Sequence, residues 1–263
     1  MGLQAVIAGV GGDIWATARN LALWPWPAVV YGARHSRFTW RDYRVFTKKL
    51  LPGDFLLMRA EPYFLSNAAI SGTAFKHLAV YVGAVEGDFD AETRFIDNPL
   101  PMGTDYRHTG RAKDGLHERV IVHAISEGVV CQDLGEVLFH EDYVCAVRPW
   151  KNEHEQDEIV ERAISRVGIP YDFEFKASPK ALYCTELGGW CCKRVGIEPP
   201  KKVLKVNNLL GLVLPLARFH APVWIADGFL VYNTVCFSKS CGEKSFAGKL
   251  NASQETKNFF RGA

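Results

Sequence analysis

No apolar run in this chain approaches the roughly 20 residues needed to span a bilayer, so no transmembrane segment is expected. The opening Met1-Gly2-Leu3-Gln4-Ala5-Val6 is apolar but lacks the basic stretch of a signal peptide, and Asp13 interrupts it early. Position 6 holds Val rather than Ser or Thr, which disfavours myristoylation of Gly2. Excess charge of one sign is missing too: 31 Lys and Arg face 29 Asp and Glu, a formal net charge of +2. That balance gives no general attraction to nucleic acid or membrane, and no nucleic-acid partner is expected. Metal-site spacing is also absent, since Cys236 and Cys241 have no second pair to complete a zinc set. Neither an internal repeat nor a coiled-coil pattern is present.

What is present is a globular composition, 48% hydrophobic and 23% charged, over 263 residues. This is enough for one sizeable core, or one core with appendages. The seven cysteines are Cys131, Cys145, Cys184, Cys191, Cys192, Cys236 and Cys241. Their odd number and irregular spacing do not describe a disulfide scaffold. They are read as mostly reduced thiols, which suits a cytoplasmic setting; export by a non-classical route, or packaging into a virion, stays open.

Periodicity and turn signals divide the chain into an N-terminal extension (1–50), a central domain (51–200) and a C-terminal extension (201–263). Trp24-Pro25-Trp26-Pro27 is not helix interior and reads as an extended segment. Thr39, with Asp42 three residues on, marks a helix start. Trp40, Tyr43, Phe46 and Leu50 form its apolar face, and Arg41, Arg44 and Lys48 its basic one. Strands are predicted over 55–59, from His77 to Gly83, over 119–125, 129–132 and 143–148, with a hairpin turn at Glu127-Gly128 and a helical turn over 134–139. Residues 87–117 form a polar insertion, a lid or a partner-binding loop. Residues 155–167 form an amphipathic helix, and a second helix starts near Cys184. Arg-Val-Gly-Ile closes both, which predicts two Schellman caps. Gly188 and Gly189 early in a helix cost on the order of 1–2 kcal/mol, so something is expected to pack closely there.

The chemistry centres on Cys184, in Tyr183-Cys184-Thr185-Glu186-Leu187 at a helix N-terminus. That position favours the thiolate and predicts a lowered thiol pKa. His77 opens an apolar strand that would hold an imidazole rigidly as its base. A base needs an orienting group. His123, amid Val120-Ile121-Val122-His123-Ala124-Ile125, meets His77 on one sheet face if the two strands pair. Glu92, Asp97 and Glu127 are alternative orienters. Each residue also has a bland reading: a buried small thiol, or a satisfied core histidine.

Three motifs in order resemble a known family. They are Pro52-Gly53-Asp54-Phe55-Leu56-Leu57; His77-Leu78-Ala79-Val80-Tyr81-Val82-Gly83; and Gly168-Ile169-Pro170-Tyr171-Asp172-Phe173 followed by Tyr183-Cys184-Thr185-Glu186-Leu187. Together they resemble the circularly permuted papain-like thiol hydrolases: the YiiX-like branch of the NlpC superfamily, related to lecithin retinol acyltransferase. The resemblance covers about residues 50–200. It implies an α+β fold, an antiparallel sheet packed against helices that include the Cys-bearing one. It also implies Cys184 as nucleophile, His77 as base and His123 as third member. The Cys184 N–H would form part of an oxyanion hole, with Tyr171 or Tyr183 as a second donor, and Glu186 would hold a nearby loop.

The expected reaction is hydrolysis of an amide or ester (peptide, isopeptide or cell-wall peptide) through a Cys184 thioester, without metal or organic cofactor. A lipid acyltransferase or phospholipase using the same thioester is the alternative, with an acyl-lipid substrate. A non-enzymatic structural or virion-associated protein, making protein contacts through residues 87–117 and the tails, is the third reading.

Overall fold

The computed structural model describes residues 21–23, 29–31, 38–60, 73–86, 116–125, 127–172, 180–199, 203–205 and 222–238. Residues 24–27, most of the 87–117 insertion and the end from 239 onward lie outside them, as does Cys241.

Helix α1 (Trp40–Lys49) begins where the capping signal predicts. The Asp42 N–H donates to Thr39 Oγ1 at 3.3 Å, and the Thr39 N–H to Asp42 Oδ2 at 2.9 Å. Two orphan donors of the first turn are thereby satisfied reciprocally. Tyr43, Phe46 and Leu50 are buried, while Arg41, Arg44 and Lys48 face solvent. A tight turn follows, with the Asp54 N–H reaching Leu51 O at 3.1 Å. Pro52 sets φ for its second position, and Gly53 takes the φ of +83° that its third demands.

The chain then enters a six-stranded antiparallel sheet. Its strands are β3 (Phe55–Arg59), β4 (His77–Glu86), β5 (Leu116–Ile125), β6 (Gly128–Asp133), β7 (Tyr143–Arg148) and β10 (Asn233–Phe237), in the order β10-β7-β3-β4-β5-β6. Two small antiparallel pairs lie outside it: β1 (Leu21–Leu23) with β2 (Val29–Tyr31), and β8 (Val203–Lys205) with β9 (Pro222–Trp224). Residues 222–238, which carry no legible periodicity, thus supply a sheet edge.

Both sheet faces are covered, which explains why the strands read as continuous apolar runs rather than alternating ones. Leu78, Val80, Val122 and Val147 pack on one side against α3 (Glu153–Ile164) and α4 (Cys184–Arg194). Leu56, Met58, Ala79 and Ile121 pack on the other against α1 and the short α2 (Leu134–Leu138). The fold is therefore α+β, an antiparallel sheet packed against helices that include the Cys-bearing one. The six described cysteines are unbridged and buried. Among the described residues no helix is long and apolar enough to cross a membrane.

Only one of the two expected Schellman caps forms. After α4, the Ile197 N–H bonds Cys192 O at 2.9 Å and the Gly196 N–H bonds Lys193 O at 3.4 Å, with Gly196 at a φ of +78°. Helix α3 instead ends earlier than expected, at Ile164. The sheet takes the N–H that the cap would have used: Gly168 donates to Val129 O, and Val129 donates back to Ile169 O, both at 2.8 Å.

Burial, reinforced by the neighbouring Asp142 carboxylate, raises Glu141 from its ordinary 4.5 to about 8. A raised carboxyl contributes stability that is fully present below its unfolded value and is lost as pH rises through the folded one. Stability is therefore expected to fall between about pH 4.5 and about pH 8. Glu141→Gln should flatten that part of a urea-denaturation pH series; an unchanged slope would assign it to another group.

Candidate active site

Cys184 is the first residue of α4, and Tyr183 caps the helix without a side-chain bond. Cys184 is buried, 7% exposed. Burial pushes it up to about 11, against backbone N–H bonds from Leu78, Thr185 and Cys184 that pull it down. The lowered pKa expected of a helix N-terminus is therefore not what this site gives. The N–H groups act in the expected direction, but desolvation of the thiolate is larger. The Leu78 bond also places the sulfur beside the His77–Leu78 peptide, at the start of β4.

His77 is the first residue of β4. Ala79 pairs with His123 in the β4–β5 ladder, so His77 and His123 are diagonal neighbours on one face. His77 Nε2 lies 2.9 Å from His123 Nδ1. His123 Nε2 lies 2.9 Å from the buried Gln132 Oε1 on β6. Three strands thus carry one row of side chains, His77–His123–Gln132. Gln132 has no counterpart in the sequence reading. A usable signal existed: the Glu127-Gly128 turn sets His123 opposite Val130 and Ile121 opposite Gln132, which puts Gln132 on the His123 face. Of the alternative orienters, Glu127 sits exposed in that turn, and Glu92 and Asp97 lie outside the described residues.

Tyr171, Tyr183 and Glu186 surround the turn that carries Cys184. Tyr171 forms a bridge with Leu182, and the Leu182 N–H bonds Pro170 O at 3.0 Å. This lays the Pro170-Tyr171-Asp172 motif along the approach to Cys184. Burial first, then the Cys184 thiol, raises the Tyr171 hydroxyl well above its usual range. Tyr183 Oη accepts the Trp224 N–H at 3.3 Å and Thr185 Oγ1 donates to Trp224 O at 2.7 Å. The two neighbours of Cys184 therefore grip one backbone unit of β9, an arrangement with no trace in local sequence. Glu186 is buried one turn into α4. Among the described residues no group of three or more His, Cys, Asp or Glu side chains is placed to hold a metal ion.

The permuted papain-like amidase family described as YaeF/YiiX, C92, matches residues 49–208. The chain belongs to this family. It is accordingly a cysteine hydrolase of the amidase and cysteine-peptidase type. A crystal structure described as the metalloprotein yiiX from Escherichia coli O157:H7 is similar, with 15% identity and a TM-score of 0.47, covering 72% of this chain and 96% of that one. No curated protein matches the chain.

The two early glycines of α4 have the close neighbours that their cost implied. A Cβ on Gly189 would lie 2.7 Å from Trp224 Cζ3, and one on Gly188 would lie 3.0 Å from both Leu78 methyls. Trp224 is held at both its N–H and its carbonyl, so its ring has little room to yield. Gly189→Ala is expected to destabilise the amidase by about 1–3 kcal/mol, overpacking outweighing the better helix propensity. Thermal denaturation reads this directly, and a raised Tm would show that the ring swings aside.

Proposed function

We propose that this amidase cleaves an amide or ester through a thioester on Cys184, with His77 as base and His123 as its orienting partner. The row of hydrogen bonds from His77 to Gln132 carries the reading, because it sets the tautomers. Gln132 presents Oε1, so His123 holds its proton on Nε2 and offers Nδ1 as acceptor. His77 then donates from Nε2, and its basic lone pair is on Nδ1. A neutral thiol with a pKa near 11 loses its proton to that Nδ1 as sulfur attacks, rather than resting as a thiolate.

Attack of Sγ on the acyl carbon forms the C–S bond while the proton moves to His77. The tetrahedral oxyanion is stabilised by the Cys184 N–H, with the raised, proton-retaining Tyr171 or Tyr183 hydroxyl as second donor. His77 returns the proton to the departing amine or alcohol as the C–N or C–O bond breaks. Water, deprotonated by His77, cleaves the thioester to the acid and restores the thiol. Glu186 is assigned to holding the adjoining loop.

Acid-quenched mass spectrometry tests the reading. The enzyme is mixed with a panel of peptide amides, γ-linked peptides and phospholipids, and the Cys184 peptide is searched for an acyl adduct. An adduct that decays in water alone supports the hydrolase. One that passes preferentially to an added amine makes the enzyme an acyltransferase. No adduct on any donor, with Cys184 intact and turnover present, overturns the thioester route.

A further inference from the structure

Asp227 lies outside the segment matched by the family, in the 3₁₀ turn Ala226–Val231 between β9 and β10. Its buried carboxylate accepts two consecutive backbone N–H groups, Ala74 to Oδ2 at 2.8 Å and Phe75 to Oδ1 at 2.7 Å. These residues lie three and two positions before His77. The Lys76 N–H bonds Met58 O at 2.9 Å, so the strand ladder takes hold of the chain only at Lys76. The backbone that delivers His77 into the sheet is therefore fixed from the C-terminal side by Asp227. Three residues earlier, Trp224 is gripped by Tyr183 and Thr185 on either side of Cys184. One short stretch, 224–227, thus touches the entry to the His77 strand at one end and the nucleophile's turn at the other.

We infer that Asp227 is a positioning residue: its carboxylate sets the placement of His77 relative to Cys184, with Trp224 as the other anchor of the same brace. The inference rests on the assignment of His77 as the base. Two charge-assisted acceptors on one carboxylate hold the strand entry more firmly than neutral bonds would. Asn at this position keeps one acceptor and loses the other, whereas Ala loses both.

The full chain is labelled with iodoacetamide across pH 5–10, and Cys184 is followed by peptide mass spectrometry in wild type, Asp227→Asn, Asp227→Ala and His77→Ala. Buried Cys131 serves as a fold control. Expected is a neutral-pH labelling rate lowered about 10-fold or more in His77→Ala, matched by Asp227→Ala and intermediate in Asp227→Asn. The alkaline limb should be unchanged and Cys131 should stay unlabelled. If Asp227→Ala exposes Cys131, Asp227→Asn alone decides. A slow His77→Ala beside wild-type rates in a folded Asp227 variant overturns the positioning role and leaves the base assignment standing. A wild-type rate in His77→Ala overturns both.

Discussion

Cys184→Ala and His77→Ala are each expected to reduce amide or ester turnover by at least ~10³-fold, and the double variant should lose little more than either alone. The reason is the proposed pairing of thiol and base. The thiol is buried and neutral, with its pKa raised to about 11, so few molecules carry a thiolate at neutral pH unless a base removes the proton during attack. Removing His77 leaves a poor nucleophile, and removing the sulfur leaves a base with nothing to activate. Neither half functions alone, so the losses cannot add. Initial rates on a responsive amide or ester, with circular dichroism to confirm folding, measure this. Cys184→Ala with near wild-type turnover would remove the thiol from the mechanism, and additive losses would show that the two act independently.

The second large effect concerns stability. Asp54 is fully buried and receives the Arg148 guanidinium through two parallel bonds, Nε to Oδ1 and Nη2 to Oδ2, each 2.8 Å. It also accepts the Leu51 N–H at 2.9 Å. Burial raises the Asp54 carboxyl against the lowering pull of the Arg148 and Leu51 bonds, and the Asp54 bond in turn raises Arg148. Asp54→Ala strands a guanidinium and a turn N–H together. A broken buried pair of this kind costs about 3–5 kcal/mol. Arg148 is 25% exposed, so water recovers part of its charge and the lower end applies. In a domain of this size that corresponds to a Tm lower by roughly 6–12 °C. Replacing both partners with apolar residues should cost less than Asp54→Ala alone; a double variant that is worse would show that the pair is stabilising in its own right.

Much of the site is legible because its parts are local signatures. The α1 capping box, the Cys184 helix start and the His77 strand each lie within a few consecutive residues. His123 follows once β4 and β5 are allowed to pair. Gln132 required one further step, carrying the register through the Glu127-Gly128 turn. The direction of the Cys184 shift depends on how completely the thiol is desolvated, and no neighbouring residue in sequence encodes that. Gly168 illustrates a competition: its local pattern matches that of Gly196, yet Val129 of the sheet takes its N–H. Trp224 and Asp227 belong to pairings 39 to 153 residues apart, where no periodicity can reveal the partner.

The late position of that brace bears on how the protein is made. A nascent chain that has emerged through residue 208 already carries Cys184, His77, His123 and Gln132, yet it lacks β10 and both anchors of the 224–227 brace. Domains tend to fold as units while synthesis proceeds from the N-terminus. Here the acceptor for the Ala74 and Phe75 N–H groups and the outer sheet edge arrive only with Asp227 and residues 233–237, after the whole stretch that carries Cys184, His77, His123 and Gln132. On the proposed roles, the reactive geometry is completed only after this later segment has been made, so Cys184 and its base are assembled well after both have been translated.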